Sequence, residues 1–405
     1  MESGIIRVAR FIGLEQKEFV IMGIFHFPVK IISADGCLSG LSDEVDRLGA
    51  RRPLIVTDPG IVAAGILDKI TGPLEEKGVP YSVFEGVEPD PKIRNIVEAA
   101  EVIKKGNHDL LIGLGGGSSI DAAKAAAILS VNEVDLREFQ GPREEYPQRP
   151  LPLITIPTTA GTGSEVSSAS VIVDEEKQYK MYFKSPQIFA KVVFLDASIL
   201  VGIPSPLAAA TGIDTLTHAL EAYLNPNRTA ASEAMSLGSI GLVFSNLRPF
   251  VANTHKQENA QNMLNASWLA GVSMTTAGLG LVHALAHPLG VKGKIHHGLA
   301  CALVLPHVLR FNWLADPDRY LPLALAMDWT IRAQYPKHTD VGQMVIQEVE
   351  ELLSDIGIPK RLSDIQTSLD DVTAVVDEAY NSFLNQVNPR QATKEDLDRI
   401  MGHII

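Results

Sequence analysis

Cysteine and aromatic residues are scarce in this sequence. Its 405 residues include only two cysteines, Cys37 and Cys301, and 6% aromatic residues. Two thiols are too few for a disulfide framework, and such sparse use of cysteine is typical of a reducing compartment. The longest nearly apolar runs, such as residues 298–308, are well short of the roughly 20 residues that a membrane-spanning helix needs. The sequence therefore predicts a cytoplasmic protein without a membrane segment.

Positive charge is also in short supply. The chain has 35 Lys and Arg against 48 Asp and Glu, which gives a net charge of −13 at pH 7. Because the acidic excess is spread along the chain, we do not expect nucleic-acid binding. The first residues include Glu2, Arg7 and Arg10 and lack an apolar segment with a cleavage site, which predicts no signal peptide.

The pattern of apolar residues predicts two unlike halves. From about residue 25 to 200, short apolar runs alternate with helical patterns, as in a parallel sheet covered by helices. The predicted strands are 29–33, 53–57, 81–84, 110–114, 153–156 and 192–195, and the predicted helices are 59–70, 92–105 and 119–130. After about residue 203 only helical spacing remains, at 229–254, 257–277, 299–314, 341–356 and 370–386. We predict an α/β domain at residues 1–203 and an all-helical domain at residues 204–405.

A glycine-rich loop follows the buried run 110–114. It contains Gly115, Gly116, Gly117 and Ser118 and leads directly into a predicted helix. Glycines let a pyrophosphate approach the backbone, and a helix amino terminus offers unpaired N–H groups to an anion. The alternative is a tight turn that needs glycine only for its geometry. The loop lies on a middle strand and lacks the standard G-x-G-x-x-G spacing, so we do not expect the usual Rossmann strand order.

A second polar loop follows the predicted strand 153–156. Thr158, Thr159, Thr162 and Ser164 place four hydroxyls within a few residues of two glycines. Hydroxyl groups and free N–H groups suit a phosphate, a ribose or an amide. The alternative is a turn whose side chains bond to its own backbone.

Asp58 follows the predicted strand 53–57 and is a candidate for ribose recognition. A carboxylate there accepts hydrogen bonds from an adenosine ribose and repels a 2′-phosphate, which favours NAD over NADP. Asp58 before Pro59 is equally a good amino-terminal cap for the next helix. The usual spacing from the glycines indicates Asp135 or Glu138 instead, and spacing alone does not choose among the three.

Acidic and histidine side chains with helical spacing suggest a metal site. Asp214 and His218 are four residues apart, so on a helix both project from one face. The alternative makes Thr211 and Asp214 a capping box and leaves His218 as an ordinary partly buried residue.

Further histidines lie in an otherwise apolar segment. His283 and His287 repeat the four-residue spacing, and buried imidazoles without partners are costly. Pro288 disfavours helical geometry at His287, so the two rings are expected to have different roles, with His283 as the better ligand. His296 and His297 end an irregular loop from which one imidazole can reach the same point. One carboxylate and three imidazoles suit Fe²⁺, Zn²⁺ or a similar divalent ion.

Together these motifs resemble the iron-containing, or group III, alcohol dehydrogenases over nearly the whole chain. The resemblance implies a dehydroquinate synthase-like fold with the active site in the cleft between the two domains. It implies a histidine, His287, beside the nicotinamide and substrate that does not bind the metal. The implied metal ligands are Asp214, His218, His283 and His297. The implied cofactor residues are Asp58, Gly115, Gly116, Gly117, Ser118, Asp121, Thr158, Thr159, Thr162 and Lys180. The family commonly has proline where His296 stands, so His296 is a second candidate beside His297.

The resemblance implies a metal-dependent, NAD(H)-linked alcohol dehydrogenase that interconverts a small alcohol and its aldehyde or ketone. Hydride passes to or from the nicotinamide while the metal, Fe²⁺ ahead of Zn²⁺, polarises the substrate oxygen. We expect a homodimer or larger homo-oligomer. The alternative is an NAD- and metal-dependent lyase of the dehydroquinate synthase type, which needs a basic cluster; only Lys292 and Lys294 lie near the histidines. A nucleotide-binding module without catalysis would not need the metal ligands.

Overall fold

Six parallel strands form the central sheet of the amino-terminal half. The structure is a computed structural model that describes residues 24–177, 179–328, 338–365, 367, 369 and 371–405. The segment on which the signal-peptide prediction depends lies outside these residues. The strands of the chain are β1 (Lys30–Ser33), β2 (Pro53–Val56), β3 (Ser82–Phe84), β4 (Leu110–Gly115), β5 (Gly141–Pro142), β6 (Leu153–Pro157), β7 (Ala169–Asp174), β8 (Tyr179–Lys184) and β9 (Val192–Leu195). The central sheet has the order β1-β9-β6-β4-β2-β3, and each of its strands confirms a predicted one.

The helices of this half cover the sheet. They are α1 (Leu41–Arg47), α2 (Pro59–Ala63), α3 (Leu67–Glu76), α4 (Ile93–Gly106) and α5 (Gly117–Leu129). The single helix predicted at 59–70 is wrong, because Gly65 adopts a left-handed conformation with φ 68° and separates α2 from α3. The helices predicted at 92–105 and 119–130 are confirmed as α4 and α5.

A small second sheet was not predicted. β7 and β8 pair antiparallel, and β5 adds to β8. The alternation in β7 is clear, since Ser170, Ile172 and Asp174 are buried and the residues between them are less so. This sheet carries Lys180 and packs against α5. The backbone N–H of Val171 in β7 donates a hydrogen bond to Asp121 of α5.

The carboxy-terminal half is helical, as predicted. Its helices are α6 (Ser205–Leu224), α7 (Ala230–Ala252), α8 (Gln257–Ala277), α9 (Leu281–Gly293), α10 (His297–Asn312), α11 (Tyr320–Met327), α12 (His338–Asp355), α13 (Val372–Asn381), α14 (Phe383–Gln386) and α15 (Lys394–Met401). The helix predicted at 370–386 is two helices, because Ser382 is extended and caps α14; residue 370 lies outside the described residues. Helix α6 is buried along nearly its whole length and is therefore the central helix of this half.

Several of these helices are strongly apolar because they form the interior of the helical half. Among the described residues, no single helix is both long and apolar enough to cross a membrane. Helices α8 and α9 meet the length and composition criteria only as a pair, and they meet at an angle of 108°. Their buried residues belong to the large hydrophobic core that also includes α6 and α10.

Candidate metal and cofactor site

The glycine loop connects β4 to the amino terminus of α5. Gly115 has φ 142°, and a Cβ there would lie 2.6 Å from Oγ of Ser119. A Cβ on Gly117 would lie 2.9 Å from Thr162. No side chain among the described residues caps α5, so its first N–H groups remain available to an anion. Both the close packing and the free N–H groups fit the predicted phosphate cradle.

Asp58 contacts this loop and caps a helix at the same time. Its Oδ1 accepts a hydrogen bond from the Ile61 backbone N–H at 3.1 Å, so it is the amino-terminal cap of α2. Its Oδ2 accepts a hydrogen bond from Ser119 Oγ at 3.0 Å. Asp135, by contrast, caps a short 3₁₀ helix and pairs with Arg137. The contact with Ser119 makes Asp58 the better candidate for the ribose.

The second polar loop extends from the glycine loop to the helical half. At one end, the Thr158 backbone N–H donates a hydrogen bond to the Gly115 carbonyl at 3.0 Å. At the other end, the Gly161 carbonyl accepts a hydrogen bond from Nδ1 of His218 at 3.2 Å. Thr215 Oγ1 donates to the Ala160 carbonyl at 3.1 Å. The loop therefore joins the phosphate cradle to the helix that carries two predicted metal ligands.

A buried lysine, missed in the sequence, anchors this loop. Nζ of Lys124 donates to the carbonyls of Ser164 at 2.6 Å and Ala169 at 2.7 Å. Burial lowers the pKa of Lys124 to about 8. A lysine in an alanine-rich, apolar helix was the signal that could have revealed it, because such a charge needs several acceptors.

Asp121 and Lys180 occupy different environments. Asp121 is buried, and its Oδ2 accepts from the Val171 backbone N–H at 2.9 Å, so it joins α5 to the small sheet. Burial raises the pKa of Asp121. Lys180 pairs with Oδ1 of Asp90 at 2.7 Å, and the Asp90 N–H donates to Oγ of Ser118. Lys180 is thereby connected to the glycine loop.

The four predicted metal ligands meet around one carboxylate oxygen. Oδ1 of Asp214 lies 3.6 Å from Nε2 of His218, 3.8 Å from Nε2 of His283 and 3.6 Å from Nε2 of His297. Asp214, His218 and His283 are buried, and His297 is partly exposed. Oδ1 of Asp214 is therefore close enough to each of the three imidazoles to share a divalent ion with it. The alternative of a capping box is wrong, because α6 begins at Ser205 and Thr211 lies inside it.

Two acceptors orient the buried imidazoles towards this point. Nδ1 of His283 donates to Oε2 of Glu221 at 2.6 Å, and Nδ1 of His218 donates to the Gly161 carbonyl. Each Nε2 therefore keeps its lone pair, which is the form that binds a metal. Burial lowers the pKa of His283 to about 3, so the ring is neutral at pH 7. Glu221 also accepts from the Val282 backbone N–H at 2.6 Å, and its role as an orienting acceptor was missed in the sequence.

His287 lies beside the cluster. Its ring centroid is 5.6 Å from that of His283 and 5.4 Å from that of His297. The expectation that Pro288 disfavours helical geometry at His287 is wrong, since α9 continues through both residues. A proline inside a helix removes one backbone hydrogen bond and need not end the helix. Burial, followed by the neighbouring His283, lowers the pKa of His287.

The amino terminus of α10 gives His296 and His297 different roles, and the helix also brings the thiol of Cys301 to the cluster. His296 is the amino-terminal cap of α10, and its Nδ1 accepts from the Gly298 backbone N–H at 3.2 Å. His297 begins the helix, and its Nε2 lies in the cluster. One turn later, Cys301 is fully buried with Sγ 3.7 Å from Oδ1 of Asp214. This cysteine was not among the candidate ligands predicted from the sequence.

Comparison with known proteins identifies the family. A family model for the iron-containing alcohol dehydrogenases matches residues 28–197, and a model for the carboxy-terminal domain of the same family matches residues 208–405. The chain therefore belongs to the iron-containing alcohol dehydrogenase family. It is an oxidoreductase of this family, which favours the dehydrogenase over the lyase alternative.

Individual relatives agree with this assignment. The chain is 35% identical over 364 residues to lactaldehyde reductase of Escherichia coli, covering 89% of this chain and 94% of that protein. It is similar to the crystal structure of a 1,3-propanediol oxidoreductase, with a TM-score of 0.91, 32% identity and coverage of 94% and 99% of the two chains. It is also similar to sulfoacetaldehyde reductase from Bifidobacterium kashiwanohense in complex with NAD⁺, with a TM-score of 0.86, 27% identity and coverage of 95% and 98%.

Proposed function

We propose that this protein is an NAD(H)-linked, metal-dependent dehydrogenase that interconverts a small alcohol and its aldehyde or ketone. The observation that carries the proposal is the loop at residues 158–164, which contacts the glycine loop at one end and His218 at the other. This arrangement supports a bound dinucleotide whose nicotinamide lies beside the metal cluster. The names of the relatives suggest a short, polar substrate such as a diol or a hydroxyaldehyde.

We propose that Asp214, His218, His283 and His297 hold one divalent ion, Fe²⁺ in the first place and Zn²⁺ as the alternative. The donor set fits such an ion, because a buried carboxylate and oriented neutral imidazoles are ligands that both metals accept. When bound, the ion acts as a Lewis acid on the substrate oxygen. Glu221 and the Gly161 carbonyl keep two of the imidazoles in the binding tautomer.

We propose that the cofactor is NAD and that the glycine loop with Ser118 binds its pyrophosphate. We assign Thr158, Thr159 and Thr162 to further cofactor contacts along the second loop, and Lys180 to the nicotinamide-side ribose. Asp121 supports the same region through the Val171 backbone N–H. We assign Asp58 to the adenosine ribose, and its hydrogen bond from Ser119, on the first turn of α5, supports this assignment.

We propose that His287 contacts the substrate and relays its proton to solvent without binding the metal. It is half-buried, whereas His283 is fully buried, so His287 faces the cluster and still has access to solvent. Its imidazole has both a donor and an acceptor nitrogen for a substrate hydroxyl.

The proposed function is tested by metal analysis and an NAD-linked activity screen. Purified protein should contain about one metal ion per chain and reduce NAD⁺ with small alcohols, including 1,2- and 1,3-propanediol. Asp214→Ala and His283→Ala should lose the metal and the activity together. Full metal content in either folded variant would contradict the ligand assignment, and NADH formation unaffected by removal of the metal would contradict the dehydrogenase proposal.

Three further expectations accompany the proposal. We propose a division into domains at residues 203 and 204, in the short segment between β9 and α6. We propose a cytoplasmic location, which two free cysteines suit. We also propose a homodimer or larger homo-oligomer, which light scattering of the purified protein would test.

A further inference from the structure

Cys301 lies on the same face of α10 as His297. The two residues are four apart, so both side chains point to one side of the helix. Sγ of Cys301 is 3.7 Å from Oδ1 of Asp214, 3.9 Å from Nε2 of His283 and 3.7 Å from Nε2 of His297. These four donor atoms all lie within 4.8 Å of one another. The thiol is therefore part of the cluster and not merely close to it.

The distances among the four atoms suit a tetrahedral metal site. Five of the six lie between 3.6 and 3.9 Å, and the sixth, between the two imidazole nitrogens, is at most 4.8 Å. The centre of a regular tetrahedron with an edge of about 3.7 Å lies about 2.3 Å from each corner, which is the ordinary Zn–S bond length. An ion near this centre would be at bonding distance from the sulfur.

The other donors point to the same centre. His283 is 1% exposed, and its Nδ1 is occupied by Glu221, so its Nε2 lone pair faces the cluster. Asp214 is 3% exposed and presents Oδ1 to every other donor. The four donor atoms that lie within 4.8 Å of one another include Sγ of Cys301 but not Nε2 of His218. Nε2 of His218 is nevertheless 3.6 Å from Oδ1 of Asp214. Oδ1 of Asp214 is thus close to two further donors, Sγ of Cys301 and Nε2 of His218.

We propose that Cys301 also binds the metal through Sγ, beside the four ligands proposed above, in the substrate-free protein. This inference rests on the proposed metal site and adds a donor to it. The thiol proton leaves to solvent when the sulfur binds the ion. Because thiolate is a soft ligand, Cys301 shifts the preference of the site towards Zn²⁺ or Co²⁺ and away from Mn²⁺.

Cobalt provides a direct test for the sulfur bond. Metal-free protein is loaded with one Co²⁺ per chain, and its absorption spectrum is recorded together with those of Cys301→Ser and Cys37→Ser. We expect a near-ultraviolet sulfur-to-cobalt charge-transfer band in the parent protein and in Cys37→Ser, and its loss in Cys301→Ser. Cys37 is the matched control because its thiol is the other one in the chain and bonds to the Ile32 carbonyl.

Metal competition supplies a second measurement. Cys301→Ser should bind Zn²⁺ at least about tenfold more weakly than the parent, while its affinity for Mn²⁺ stays within about twofold. Cobalt bound by the parent without a sulfur band would overturn this inference and leave the proposed metal site standing. Failure of the parent to bind any divalent ion would overturn both. The parent spectrum decides the question even if the Cys301 variant does not fold.

Discussion

Replacement of Glu221 by glutamine should weaken metal binding although Glu221 is not a proposed ligand. Its two oxygens accept from Nδ1 of His283 at 2.6 Å and from the Val282 backbone N–H at 2.6 Å. Glutamine has one acceptor oxygen and one donor NH₂ in the same space. If the NH₂ faces His283, the ring takes the tautomer whose Nε2 carries hydrogen and cannot bind a metal. If the NH₂ faces Val282, two donors confront each other in a buried place.

Because either orientation is unfavourable, we expect Glu221→Gln to lower the metal affinity. Loss of a carboxylate that orients a ligating histidine typically reduces metal affinity by about 10- to 100-fold, which corresponds to about 1.4–2.7 kcal/mol. The assay is competition with a chromophoric chelator for Zn²⁺, and a melting curve of the metal-free protein checks folding. Glu258→Gln is the matched control, because the Glu258 side chain is 76% exposed. A Zn²⁺ affinity of Glu221→Gln within twofold of the parent would refute the orienting role.

Four other changes have defined outcomes. Asp58→Asn should keep the cap of α2 and relax the preference for NADH over NADPH, as measured by kcat/KM with each cofactor. His287→Ala should retain the metal but lower turnover by at least about tenfold. Gly298→Ala should destabilise the fold by about 1–3 kcal/mol and lose the metal, because its Cβ would lie 2.2 Å from the Ala210 carbonyl oxygen. Burial lowers the pKa of His307 to about 4, so between pH 6.5 and 4 the unfolded chain binds more protons than the folded one. The protein should therefore become less stable as the pH is lowered from 6.5 to 4. The melting temperature should fall less steeply over this range in His307→Gln than in the parent.

Each of these outcomes has a control or a result that would contradict it. An unchanged cofactor ratio in Asp58→Asn would leave Asp58 as a helix cap only. Loss of metal from His287→Ala would make His287 a ligand. Gly72→Ala is the control for Gly298, since a Cβ there meets nothing within 4 Å, and it should not destabilise the protein. Equal pH slopes for the parent and His307→Gln would exclude His307 as the cause of the decline.

The main elements of the fold were predictable because their signals are local. Six strands in short apolar runs and the long helices follow directly from the spacing of apolar residues. The small sheet was missed because β5 has only two residues, and because polar and apolar residue types do not alternate regularly along β7, although its burial does. The break between α2 and α3 depends on the left-handed conformation of one glycine, Gly65, which spacing does not reveal.

The candidate site was predictable to the extent that its residues share a face of one helix. Asp214 with His218 could be grouped by spacing, but the approach of α6, α9 and α10 to one point is a tertiary property. For the same reason the sequence did not reveal Cys301, which is a reasonable small apolar residue in an apolar helix. Pro288 was misleading because its effect on the preceding residue is a preference, and packing of α9 in the core overrides it.

Metal titration of the metal-free protein tests the central claim most directly. Metal-free protein is mixed with NAD⁺ and a small alcohol under anaerobic conditions, and NADH formation is followed as Fe²⁺ or Zn²⁺ is added. We expect activity to be absent without metal and to rise to a plateau at about one ion per chain. Full activity before any metal is added, or a plateau at a different stoichiometry, would contradict it.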